Sequence, residues 1–271
     1  MNFQSLATIS IVLLASCAVN QGTHDYSATN PRALRDYNAG WSYIMDAGRW
    51  TESEEAFRAA HEAEPDWIMG AALVARITQD VEEREQLLEQ IEAGYDGVDP
   101  DTRLLLDVFI MSIRAANARD RGTKLPDGFA DERMAIALRN FAEFVRRHPG
   151  ETYSHAERLE VIHHAEGADA ALAMIEREVP ADVRRAPFFA SFAAGLEAER
   201  GNHERAAELA AVYRDRLNDP DAPGIDALES VLLQHRGDLR GALEAAERAA
   251  SKDPKHLIAV RRCDWLRSQL D

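Results

Sequence analysis

The chain has 271 residues, enough for about two average domains or for one continuous repeat body. Its 47 acidic residues against 31 basic ones give a formal charge of -16, which argues against a surface built to neutralise nucleic-acid phosphates or to grip an anionic membrane. Hydrophobic residues at 46% supply a core, the Ala-, Glu-, Leu- and Arg-rich runs with few Gly and Pro point to helices, and two Cys exclude a disulfide-dense scaffold.

Residues 6–15, Leu-Ala-Thr-Ile-Ser-Ile-Val-Leu-Leu-Ala, form an uncharged apolar segment. A spanning helix needs roughly 20 residues, so this segment reads as the apolar region of a signal peptide. Leu14-Ala15-Ser16-Cys17 follows at its end and resembles the lipobox of bacterial lipoprotein precursors. The resemblance implies a signal peptide over 1–16, cleavage before Cys17 and a diacylglycerol on its thiol. Ala18 after the Cys implies, by the sorting pattern of that family, the outer membrane with the body facing the periplasm. The alternative is a cytosolic scaffold whose first segment imitates a signal. Residues 17–31 include the polar run Asn20 to Pro31, lack a sustained apolar period, and predict a flexible tether. The folded body is expected over 32–271.

Within that body the clearest block runs from Gly48 to Pro65. A Gly suited to a helix end is followed two residues later by Trp50, and Ser53, Phe57 and Ala60 then share one helix face. Gly201 leads in the same way to Ala206, Ala210 and Tyr213, and Gly237 to Ala242, Ala246 and Ala249. Gly167, Gly201 and Gly237 are spaced by 34 and 36 residues, and Pro220 and Pro254 by 34. This register resembles the tetratricopeptide repeat, a 34-residue helix-turn-helix unit. The resemblance implies an all-α solenoid of six helix pairs, with spans near 32–65, 66–100, 101–149, 150–181, 182–220 and 221–254, and a final capping helix from Lys255 to Leu270.

The third unit is too long. Pro100 to Pro149 spans 49 residues, and the excess falls before Arg133, in a lengthened first helix from Asp101 to Arg119 and the loop 120–130. Leu125 and Phe129 in that loop either offer a contact point or pin the loop to its own helices. In the last helix, Arg261, Arg262, Asp264, Arg267 and Gln269 are expected to face outward against an inner face of Leu257, Val260, Trp265 and Leu266. Cys263 beside them reads as a buried apolar position or as a reactive thiol.

Motifs that assemble chemistry are missing: there is no phosphate-cradling Gly-rich loop, nucleophile elbow or His-Glu-x-x-His. Glu160-Val-Ile-His163 has the spacing used in di-iron bundles but occurs once, so surface hydrogen bonding is the simpler expectation and neither metal nor cofactor is expected. Trp50 and Trp265 fall at packing positions, whereas Trp41 and Trp67 are candidates for a groove. The repeat resemblance implies that the first helix of each pair lines a concave face. Counting back from the turns places Arg35, Asn38, Ser42 and Asp46 there in the first unit, Arg76 and Gln79 in the second, Glu157 and His164 in the fourth, and Gln234 and His235 in the sixth. The lining does not reproduce the Lys/Asn clamp with which some members hold a carboxylate. The expected function is a non-catalytic module for an unknown protein or peptide partner in the cell envelope, without nucleic acid. The enzyme alternative is a helical-repeat scaffold acting on cell-wall glycan, which needs a concave pocket holding two carboxylates roughly 5–9.5 Å apart.

Overall fold

The computed structural model describes residues 24–270. The apolar segment, the lipobox and Cys17 lie outside them. Helices succeed one another in pairs: α1 (Pro31–Trp41, continued as a π-helical turn Ser42–Asp46) with α2 (Trp50–Ala63), α3 (Ile68–Ile77) with α4 (Val81–Gly94), and α5 (Pro100–Arg121) with α6 (Phe129–Arg147). Then come α7 (Thr152–Glu166) with α8 (Ala168–Arg177), α9 (Pro187–Glu199) with α10 (His203–Leu217), α11 (Pro223–His235) with α12 (Leu239–Lys252), and the single α13 (Leu257–Leu270). Each pair packs internally and on its neighbours, as the 34-residue register predicted. No strand occurs among the described residues. The surplus of the third unit is absorbed where expected, α5 running to 22 residues, and Leu125 and Phe129 are half-buried.

Local chemistry sets the helix starts. Asn30 and Pro31 open α1, Asp99 and Pro100 open α5, and Asp80 and Asp238 cap α4 and α12, each with its side-chain oxygen on an early backbone N–H. Among the helices with no capping side chain of their own are α2 and α9. Their orphan N–H groups are met from units far along the chain, and those contacts close the array on itself.

At one closure point, Asp46 at the end of the π-helical turn reaches the start of α9. Its Oδ1 accepts from the Phe188 N–H (3.1 Å) and its Oδ2 from the Tyr153 hydroxyl (2.8 Å), while the Tyr213 hydroxyl donates to its backbone oxygen (2.8 Å). At the other, Asp253 after α12 accepts from the N–H groups of Trp50 (2.5 Å) and Thr51 (3.0 Å) and from the Thr51 hydroxyl (2.7 Å). Ion pairs Arg49–Asp219 and Lys255–Glu54, each at 2.7 Å, flank it. Between them the turn at Gly48 meets Gly224 backbone to backbone: a Cβ on Gly224 would lie 2.9 Å from the Ala47 oxygen, and one on Gly48 2.8 Å from the Gly224 nitrogen. Gly48 also has φ +68, so a side chain there is excluded twice over. The ribbon therefore curls until its first pair seats against the fourth, fifth and sixth.

Three sequence expectations need correction. Residues 24–30, read as part of a flexible tether, are bound to the body. Tyr26 is buried, its hydroxyl donates to Glu151 (2.5 Å) and its carbonyl accepts from Trp67 Nε1 (2.7 Å); His24 bonds Thr102 and Glu151, and Thr29 and Asn30 donate to Glu64. A buried aromatic amid polar neighbours suffices to dock a segment that lacks helical periodicity. Trp67, engaged in this way, belongs to the core and not to a groove. In α13 the inward stripe is Ala259, Cys263 and Leu266, which turns Trp265 out to 44% exposure and brings Arg262 inward onto Ser230 and Gln234. Cys263 is buried, and burial pushes its thiol pKa up, away from reactivity.

Candidate functional site: a chamber on the concave face

Closure converts the concave face into a chamber of about 530 Å³. First helices build most of its wall. α1 and its π-turn contribute Trp41, Ile44 and Met45; α3 contributes Arg76; α7 contributes Glu157, Glu160 and His163; α9 contributes Phe188, Phe192, Gly195, Leu196 and Glu199; and α11 contributes Leu228, Val231 and His235. Trp50, His256, Ile258 and Arg262 complete the side formed by closure. α5 turns Val108 and Ser112 toward an adjoining cavity of about 250 Å³, which shares Arg76, Glu157 and Glu160 with the chamber and includes Arg133 and His164.

The wall is largely apolar and aromatic, with polar groups gathered on α7 and its neighbours. Arg76, the last charged residue of α3, lies with its guanidinium carbon 4.1 Å from the centre of the Phe109 ring and 5.4 Å from that of Trp41, and donates to Glu157 at 2.5 Å. This arrangement joins cation–π attraction to a charge-assisted hydrogen bond. Glu157 is buried; burial raises its pKa, and the Arg76 charge and hydrogen bond oppose that rise. His163 Nε2 bonds Glu199 Oε2 at 2.9 Å and its ring meets Phe192 edge to face. Arg262 Nε donates to the Ser230 hydroxyl (2.7 Å) and Nη2 to Gln234 Oε1 (2.5 Å). His235 is held below its ordinary pKa by burial, with Glu199 opposing and Arg262 adding to the depression.

Glu160 stands apart. Its side chain is exposed to the chamber between the surrounding helices, and no hydrogen bond holds it. Desolvation first, and the charge of Glu157 second, push it up to about 7 against the pull of Arg76. Glu157 and Glu160 lie one turn apart on α7, where Cβ atoms are ~5–6 Å apart.

Gly195 adds a further feature. It sits inside α9, where glycine costs about 1 kcal/mol relative to alanine. A Cβ there would meet only Val231, at an ordinary 3.8 Å. Packing does not require this glycine, and its effect is to leave the chamber wider.

Of the residues expected on the concave face, Arg76, Glu157 and His235 line the chamber and His164 the adjoining cavity. Gln234 sits beside them, bound to Arg262. Asp46 is buried in the closure, and Ser42 donates to it at 3.3 Å. Arg35 and Asn38 are not brought there, because the inward stripe of α1 is Ala33, Tyr37 and Trp41; Arg35 points to solvent beside Asp36. Gln79 falls beyond the end of α3 and is exposed in the turn. Sequence reasoning named Glu160 and His163 only as a surface hydrogen-bonding pair and Arg262 as outward-facing, and it missed Glu199 altogether. The spacing of Glu157, Glu160 and His164 at i, i+3 and i+7 was the available signal for Glu160.

Among the described residues no three His, Cys, Asp or Glu side chains are arranged to hold a metal ion, and no helix is long and apolar enough to cross a membrane. Neither the protein-family models nor the curated proteins contain a match to this chain.

Proposed function

We propose that the chain is a non-catalytic interaction module of the bacterial cell envelope, a tetratricopeptide-like array anchored through Cys17 in the outer membrane, that takes part of a protein partner into its chamber. The observation that carries this reading is the half-open, aromatic-walled chamber on the face where helical arrays present their binding surface. Gly195, which widens it at a cost to its own helix, supports the same reading. The lipobox resemblance supports the anchor. Palmitate labelling lost in Cys17→Ala tests the anchor, and unchanged labelling would refute it. A photo-reactive residue at Val231 of the full-length protein tests the module: a discrete adduct from intact envelopes, suppressed by Gly195→Leu, is expected, and absence of any adduct would count against it.

A second reading, an enzyme acting on cell-wall glycan, draws on Glu160, whose elevated carboxyl beside Glu157 has the character of a general acid. Its weakness is that Glu157 is tied to Arg76 and is not free as a nucleophile or base. Cleavage of purified sacculi by the wild type and not by Glu160→Gln would establish this reading over the first.

A further inference from the structure

We propose that the chamber recognises a lysine side chain carried between apolar residues of the partner, with its ammonium paired to the Glu160 carboxylate. The inference rests on the chamber being the partner site and adds the chemistry of what enters. It follows from a charge inventory of the groups around Glu160. On α7 itself, Glu157 is neutralised by Arg76 of α3 at 2.5 Å, and His163 is taken by Glu199 of α9. His164 and Arg133 face Glu160 from the adjoining cavity without a hydrogen bond to it. Across the chamber, Arg262 of α13 is engaged by Ser230 and Gln234, and His235 of α11 is held toward its neutral form by burial. Glu160 remains as an exposed carboxyl on the wall of a half-open chamber, with no donor from the protein.

Such a group has water but no protein donor, and a cation arriving on an apolar stem supplies both hydrogen bonds and charge. The approach is apolar: Phe192, Leu196 and Val231 suit an aliphatic stem whose end alone is charged. The overall charge of -16 favours encounter with a basic segment over an acidic one. Because the free carboxyl sits near 7, lysine binding must expel its proton, so affinity rises with pH across that value.

The test uses the full-length protein in detergent, with quenching of Trp41 and Trp50 as the readout and three capped peptide amides as probes: Leu-Lys-Phe, Leu-norleucine-Phe and Leu-Glu-Phe. Norleucine keeps the stem and removes the charge. The lysine peptide is expected to bind about tenfold more tightly than the norleucine peptide at pH 8, with the preference shrinking at pH 6. Glu160→Gln should reduce the preference to under about threefold while leaving the circular dichroism spectrum unchanged, and Gly195→Leu should block all three peptides. Equal or stronger binding of the norleucine or glutamate peptide, still blocked by Gly195→Leu, would overturn the lysine inference and leave the chamber as a binding site. A lysine preference that survives Glu160→Gln would overturn the role of Glu160. Saturable binding of none of the three would overturn the inference, and the Val231 adduct would then decide separately on the module.

Discussion

The first three units and the last two are held together by different materials. From Tyr26 to Phe144 a single core joins units one, two and three through eight buried aromatic rings, among them Tyr37, Trp41, Phe57, Trp67 and Phe109. Beyond it the interior divides. One cluster centres on Phe188 and Phe189, a second on alanines around Tyr213, and a third on Ala242, Ala246, Cys263 and Leu266. Small residues let helices approach closely but bury little area per side chain, so the first half behaves as a block and the second as thin layers. The closure at Asp46 and Asp253 ties the layered half back to the block.

The largest effect should therefore come from the block. Phe144→Ala removes a fully buried ring that also packs on Tyr26 and His24, and a loss of about 3–5 kcal/mol is expected in urea denaturation, spread over units one to three. If hydrogen exchange after this substitution accelerated only in α6, the block would not be cooperative.

Next is the closure at Asp46. Its carboxyl is raised by burial to about 6 from an ordinary 3.8, so the folded state holds more protons than the unfolded state between those values. Stability from this group is present below about pH 4 and falls as pH rises to about 6, by on the order of 3 kcal/mol. Asp46→Asn keeps an acceptor for Phe188 and should flatten that part of the pH–stability curve; a curve unchanged by the substitution would place the titration elsewhere. Asp253 responds in the opposite sense. Burial acts to raise its pKa, but the hydrogen bonds from Thr51, Lys255 and Trp50 outweigh it, so its contribution is present above the ordinary carboxylate pKa and fades in stronger acid. Together the two predict the tightest closure around pH 4–5.

Asp253→Ala should cost about 1–2 kcal/mol, the worth of a helix cap, with faster exchange in the first turn of α2 and in α12 and α13 but not in α5 and α6. The smallest effect is a gain. Gly195→Ala should stabilise α9 by about 0.5–1 kcal/mol in thermal denaturation, and a loss would mean that the glycine serves packing after all.

Helix pairing was legible because turn glycines and closing prolines recur at fixed intervals, and even the elongated α5 showed as a break in that arithmetic. Closure was not legible. Asp46 and Phe188 are 142 residues apart and Thr51 and Asp253 are 202 apart, and an acid at a helix end looks the same in sequence whether it meets water or another unit. The site was half legible for a related reason. Counting along α7 found Glu157, but Glu160 and His163 matter through neighbours on α3 and α9 that no spacing on α7 reveals.

The seating of the first pair against the last also limits how this protein can change over generations. An open array tolerates duplication or loss of a unit, because each element answers only to those beside it. Here Gly48 and Gly224 must arrive in register, and one extra hairpin anywhere between them would carry the two out of reach. Growth by copying, the habitual route for such arrays, is closed to this one, and variation is left to surface loops such as that between α5 and α6.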